Sequence, residues 1–206
     1  MGLLLHIHPI TPQERKINKV VEILRGGGIA IYPTDSVYGM GTVIINKQGM
    51  QKLSLIKGIK PKEAEFSLLF GELDQIVSYV KPMPKEVFKI LKRNLPGPFT
   101  FILPASKKIP KLLENKRQTI GIRIPNNNIV RELSRRLGYP LVNTSIYAQD
   151  KLIEYQTDPS LIWERYRTIV DVVIDGGLGN NEPSTVVDLT GDEPVILRQG
   201  IGELRL

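Results

Sequence analysis

The sequence predicts a mixed α/β fold: one twisted, open, mixed sheet with helices packed on it, in a single domain over residues 1–206. Three observations predict it. Apolar runs of strand length alternate with amphipathic helical patterns through the first two-thirds of the chain. Strand-like runs outnumber helical ones. The 206 residues, 41% of them hydrophobic, suit one domain with a proper core. No internal repeat, low-complexity tract or linker interrupts the pattern.

The elements follow in order. Thr11-Pro12-Gln13-Glu14 reads as a helix start, with Thr11 as the cap, Pro12 at the first helical position and Glu14 closing a capping box. Ile17, Val20, Val21 and Leu24 then give one apolar face, and Gly26-Gly27-Gly28 ends the helix. Ile29–Tyr32 reads as a buried strand and Val43–Ile45 as another. Asn46 caps a helix running to about Lys57, with Met50, Leu53 and Ile56 inward. Phe66–Phe70 is strand-like, and Leu73, Ile76, Val77 and Val80 suggest a short helix. Pro84 opens the next helix, with Val87, Phe88 and Leu91 inward and Lys85, Lys89 and Lys92 on the other face. Pro96-Gly97-Pro98 breaks the chain before a strand at Phe99–Leu103. Thr119–Ile124 is a strand. Asn126 or Asn127 caps a helix carrying Ile129, Val130, Leu133 and Leu137, closed by Gly138. Strands follow at Leu141–Thr144, Thr168–Ile174, Ser184–Leu189 and Val195–Arg198.

Composition narrows the chemistry. There is no cysteine, which excludes disulfides and thiolate metal sites. The only histidines are His6 and His8, so Ser-His and Cys-His nucleophilic catalysis have no candidate, and two ligands do not make a metal site. No P-loop occurs, and the triple glycine lies in helix-to-strand order, the reverse of a dinucleotide fingerprint. What remains is catalysis by positioning and charge neutralisation. The first ten residues lack the basic and apolar regions of a signal peptide, and no apolar run approaches the roughly 18–20 residues of a membrane span. A cytoplasmic location without membrane contact is therefore expected. The net charge is +7. Between Lys81 and Arg117, ten basic residues face two acidic ones, Glu86 and Glu114, a local +8. Such a segment is either a solvated basic face or an attractor of phosphates, nucleotides or nucleic acid.

Tyr32-Pro33-Thr34-Asp35-Ser36-Val37-Tyr38-Gly39-Met40-Gly41 packs hydroxyls, a carboxylate and two glycines directly after a buried strand. From the residues alone it is a capped turn or the lining of an anionic-ligand site. It resembles the Pro-Thr-Asp/Glu-Thr-x-Tyr-Gly-Leu-Gly signature of the YrdC/YciO family. Further resemblances follow in order: Ile56-Lys57-Gly58, Leu95-Pro96-Gly97-Pro98-Phe99-Thr100, Ile120-Gly121-Ile122-Arg123-Ile124-Pro125, Ser184-Thr185-Val186-Val187-Asp188 and Leu197-Arg198-Gln199-Gly200. Ile7-His8-Pro9, the helix after it and Asn143-Thr144-Ser145 look most like the YciO branch.

The resemblance implies a YrdC-like sheet around a deep, basic cavity. Members of the YrdC type are threonylcarbamoyl-AMP synthases, nucleotidyltransferases that join threonine, bicarbonate and ATP and release pyrophosphate, for the t6A modification of tRNA. By that resemblance Thr34, Ser36, Tyr38 and Arg123 form the threonine side, and Lys57, Lys60, Thr100, Ser145 and Arg198 the nucleotide side. ATP enters as a substrate with Mg2+, with no organic cofactor and no protein metal site. The fold is also linked to double-stranded RNA, so RNA or tRNA binding without synthesis, or hydrolysis of the adenylate, are the alternatives. Two departures from the family pattern fall on the nucleotide side. Ile59 stands where the family has arginine after Lys57, leaving Lys60 as the nearest cation, and Tyr147 replaces the asparagine after Ser145.

Overall fold

The structure is a computed structural model and describes residues 1–58, 66–146 and 157–206. Among these residues, ten strands form one sheet. They are β1 (Leu3–His6), β2 (Ala30–Tyr32), β3 (Gly39–Val43), β4 (Ser67–Leu69), β5 (Phe99–Pro104), β6 (Thr119–Arg123), β7 (Leu141–Ser145), β8 (Val172–Asp175), β9 (Thr185–Asp188) and β10 (Val195–Arg198). Their spatial order is β1-β8-β2-β3-β7-β4-β6-β5-β9-β10. Four neighbouring pairs are parallel and five antiparallel, so the sheet is mixed as the sequence predicts. Five helices accompany it: α1 (Glu14–Arg25), α2 (Lys47–Lys57), α3 (Lys85–Asn94), α4 (Asn128–Leu137) and α5 (Pro159–Tyr166), with a 3-10 helix over Asp74–Ser78. No helix among the described residues is long and apolar enough to cross a membrane.

The register divides the sheet into two unlike faces, because residues directly opposite in neighbouring strands share a face. One face carries Ile31, Met40, Val142, Leu68, Ile122, Phe101 and Val187, all buried in a core with Met50 and Leu53 of α2, Leu91 of α3 and Ile162 of α5. The other face is itself split. Ala30, Tyr32, Val43, Leu69, Leu141, Val172 and Ile174 pack beneath α1 and α4, against Ile17, Val20, Leu24, Ile129, Leu133 and Leu137. The remainder is Gly39 and Gly41 of β3, Asn143 and Ser145 of β7, Ser67 of β4 and Gly121 of β6, aligned across the strands. That glycine and polar patch sets this part of the face apart from the apolar part.

The caps explain why several elements sit where the sequence puts them. Asn46 accepts from the Gly49 amide at the start of α2, and Asn127, the second of the two expected candidates, accepts from Ile129 and Val130 at the start of α4. Gly58 and Gly138 close these helices in the left-handed region, at φ 64° and 71°.

Other expectations are corrected. Thr11 does not cap α1: its hydroxyl and amide contact His8 Nδ1, and the helix begins at Glu14 behind Gln13, whose side chain is drawn away to the His8 amide. The strand expected at Val43–Ile45 is Gly39–Val43, two to four residues earlier, because its glycines lie against the Tyr32 ring and Asn143. Phe88 is exposed rather than inward, and α3 buries only Leu91 and Asn94. The short helix after Leu73 is a 3-10 helix. The strand expected from Thr168 begins at Val172. Strand β1 and helix α5 were not expected. The latter carries a clear start signal, Asp158 accepting from the Ser160 amide with Pro159 in the first turn.

Two outcomes check this description. A Cβ on Gly41 would lie 2.4 Å from both the Tyr32 hydroxyl and the Val142 carbonyl oxygen. Gly41→Ala should therefore destabilise the fold by about 1–3 kcal/mol in urea unfolding, as overpacking does. On the surface, hydrogen bonding from Arg135 and the charges of Arg135 and Arg131 hold the Glu72 carboxyl below its ordinary range. A depressed carboxylate contributes stability at neutral pH that is lost as pH falls through its folded pKa. The stability difference between the wild type and Glu72→Gln should thus narrow from pH 7 to pH 3.

Candidate functional site

The Thr34–Tyr38 loop leaves the end of β2 and turns under its own hydroxyls. Thr34 Oγ1 donates to the Val37 carbonyl at 2.7 Å and accepts from the Ser36 amide at 3.0 Å. With that proton committed, Ser36 Oγ is the donor in the 3.2 Å contact with Thr34 Oγ1. Ser36 Oγ then accepts from Arg123 Nη2 at 2.8 Å. The Thr34 and Ser36 hydroxyls, two of the three expected on the threonine side, are thus spent on building the loop and seating an arginine. Tyr38 is fully buried, and its hydroxyl donates to the Gly177 carbonyl at 2.7 Å. It ties the loop to residues 176–177. Burial, with the nearby charges of Asp175 and Asp158 adding to it, raises its pKa above the ordinary tyrosine value.

Arg123 closes β6 and is only 3% exposed. Its Nη2 also lies 3.4 Å from Asp35 Oδ1, while Asp35 Oδ2 accepts from the Asn126 amide at 2.7 Å. Arg123 Nε is buried and has no hydrogen-bond partner. Burial raises the Asp35 pKa, more than the Arg123 charge and the Asn126 amide lower it. Burial likewise lowers the Arg123 pKa. Asp35 opposes that shift, and the charge of Arg198 adds to it. An arginine remains protonated under such a shift, so the consequence is electrostatic: two guanidinium groups act on the same volume.

The patch below is polar and close-packed. Tyr32 Oη donates to Asn143 Oδ1 at 3.1 Å, and Asn143 Nδ2 donates to Ser67 Oγ at 3.1 Å. Burial holds the Tyr32 hydroxyl protonated well above its usual range. Gly39, Gly41 and Gly121 fill the spaces between, where a side chain would meet Asn143, Tyr32, Thr100 or Ser67.

The residues expected on the nucleotide side fall into two groups. Lys57, at the end of α2, reaches β7, where its Nζ donates to the Ser145 carbonyl at 3.1 Å. It is half-buried, desolvation lowers its pKa, and it has no ion pair among the described residues. Thr100 on β5 contacts Ser184 Oγ at 2.9 Å, and Arg198 on β10 donates to the Ser184 carbonyl from Nε at 3.2 Å and Nη2 at 2.9 Å. Thr100 and Arg123 each lie one residue beyond the paired Phe101 and Ile122, which places this group beside the arginine. Lys60 and Tyr147 lie outside the described residues. Asp35, Asn143, Ser67 and Ser184 complete the site without having been singled out. Asp35, Ser184 and Asn143 stood inside family-like segments without a role of their own, while Ser67 carried no distinguishing pattern.

Beside the loop opens a cleft of about 540 Å³, bordered by Thr34, Asp35, Leu178 and Asn180. Of Lys57, Arg123 and Arg198, only Arg123 is paired with a carboxylate, Asp35, among the described residues. Such an arrangement attracts an anion and can grip a carboxylate or phosphate through arginine. No group of three or more His, Asp or Glu residues that could hold a metal occurs among the described residues.

Known proteins resemble this chain over nearly its whole length. The Sua5_yciO_yrdC family model, described as telomere recombination, matches residues 22–200. An uncharacterized protein of Haemophilus influenzae is 40% identical over 98% of this chain and 97% of its own. The crystal structure of Escherichia coli YciO superposes with a TM-score of 0.90 at 38% identity, covering 98% of each chain. The threonylcarbamoyl-AMP synthase of Pyrococcus abyssi is 28% identical over 94% of this chain and 59% of its own. The crystal structure of P. abyssi Sua5 complexed with L-threonine superposes with a TM-score of 0.86 at 26% identity, covering 99% of this chain and 62% of that one. The fold, the order of its motifs and these matches agree: the chain belongs to the Sua5/YciO/YrdC family.

Proposed function

We propose that this protein binds threonine and an adenylate in one basic cavity and acts as a threonylcarbamoyl-AMP synthase-like enzyme on threonine, bicarbonate and Mg2+-bound ATP. The observation that carries the reading is Arg123, a buried guanidinium with an unpartnered Nε. A buried donor without an acceptor is costly, and a ligand carboxylate would satisfy it. The likeness to Sua5 complexed with L-threonine supports threonine as that ligand.

The chemistry asks little of general acid–base groups. The threonine amine takes up bicarbonate carbon to give a carbamate, with loss of water. A carbamate oxygen then attacks the α-phosphorus of ATP, and pyrophosphate leaves. Negative charge is present on the carboxylate throughout and builds on the phosphates during transfer. Arg123 holds the first, while Lys57 and Arg198 neutralise the second, with Thr100 and Ser145 beside them. Charge placed in advance of reaction is the main source of rate here. The product would serve t6A modification of tRNA, a cytoplasmic process.

Ile59 and Tyr147 alter the nucleotide side, which favours a second reading: uptake of the finished adenylate and its hydrolysis. A third, duplex RNA binding, is motivated by the Lys81–Arg117 segment, where Lys81, Lys85, Lys89 and Lys92 are exposed. Incubation with threonine, bicarbonate and Mg-ATP should release pyrophosphate and form the adenylate, and Arg123→Ala should lower the rate at least about 100-fold, as loss of a charge-stabilising donor does. No product above that variant would exclude synthesis. Supplied adenylate consumed in the same assay would establish the hydrolase. Affinity for duplex RNA that fell steeply with salt would support the third reading.

A further inference from the structure

Arg123 is held along one edge only. Nη2 meets two acceptors, Ser36 Oγ and Asp35 Oδ1, and Nε meets none. Asp35 is the only carboxylate paired with Arg123 among the described residues, and its side chain is only 10% exposed. Its second oxygen is fixed by the Asn126 amide, immediately before the cap of α4. The carboxylate is therefore anchored to the turn that follows β6, the strand that ends in Arg123. It is not a freely moving surface acid.

We propose that Asp35 is a positioning residue: with Ser36 it pins Nη2 of Arg123 and so fixes the plane of the guanidinium that meets the ligand carboxylate. This rests on the threonine-binding reading above. Two roles with opposite signs are possible for a carboxylate in this place. As a competitor it would neutralise Arg123 and weaken ligand binding, and its removal would tighten binding. As a positioning group its removal would weaken binding. The geometry points to the second. A competitor would occupy the donors that a ligand needs, whereas here Asp35 touches Nη2 alone, and at 3.4 Å its contact is the longer of the two on that nitrogen. A guanidinium offers five N–H donors in a rigid plane, so fixing one nitrogen orients the rest.

Asp35→Asn is the discriminating variant. The amide oxygen can still accept from the Asn126 amide, so the turn is kept while the charge facing Arg123 is lost. Two measurements separate the positioning of Arg123 from the identity of the ligand. The first is the Nε–Hε resonance of Arg123 in the free protein, assigned by its loss in Arg123→Lys. The wild type should give one resolved, slowly exchanging signal, and Asp35→Asn should broaden it or speed its exchange. The second is threonine affinity by calorimetry. Asp35→Asn should weaken it about tenfold or more, the scale of a hydrogen bond to a charged group, and Asp35→Glu should recover part of the loss. An unchanged Nε–Hε signal, or threonine bound as tightly or more tightly by Asp35→Asn, would overturn the proposal. A wild type that binds no threonine, yet shows the Nε–Hε change in Asp35→Asn, would leave the positioning of Arg123 standing and remove the threonine reading alone.

Discussion

Burying a guanidinium is costly unless the surrounding groups meet its charge and its donors. Arg123 meets that requirement in part, with one carboxylate, one hydroxyl and one donor left over. Much of the site's arrangement follows from this arginine. The Thr34 hydroxyl folds the loop so that Ser36 can accept from it. The turn after β6 supplies the Asn126 amide that fixes Asp35. Tyr38 then ties the far end of the loop to Gly177. The signature segment is a clamp on a cation, built by the Thr34 and Ser36 hydroxyls and the Asp35 carboxylate.

The sheet makes room for this clamp by being unlike itself on its two faces. One face is apolar across its centre and supports four helical elements. The other buries apolar residues only under α1 and α4, then turns to glycine, serine and asparagine. The Tyr32–Asn143–Ser67 chain of hydrogen bonds satisfies the polar groups that burial would otherwise strand. The three cations of the candidate site come from separate elements: α2, β6 and β10. A site built across elements in this way draws its precision from the sheet itself, which is the rigid part of the molecule.

Much of this was legible in the sequence, for physical reasons. Repeating apolar periods gave α1, α4 and most strands, and Asn46, Asn127 and Gly138 marked helix ends because caps have few chemical solutions. Strand β1 was obscured because it is an edge strand whose side chains are mostly exposed, so it shows no alternation. Thr11 misled because a capping pattern is a local rule, and His8 captured its hydroxyl. At the site, the ordered motifs pointed to Thr34, Ser36, Tyr38, Lys57, Thr100, Ser145, Arg123 and Arg198. They could not show which polar atoms are already satisfied, because beyond the local bonds of Thr34 that depends on contacts across 14 to 139 positions of the chain. Asp35 is the clearest case. Its part in the clamp is visible only when Arg123 and Asn126 are seen beside it.

The central claim is that Arg123 is a seated, half-satisfied cation awaiting an anion. A crystal structure of the protein soaked with threonine and Mg-ATP tests it most directly. The threonine carboxylate should lie within hydrogen-bond distance of the Arg123 guanidinium, with Asp35 and Ser36 still on Nη2 and the phosphates toward Lys57 and Arg198. Threonine bound elsewhere, or bound with no contact to Arg123, would contradict it.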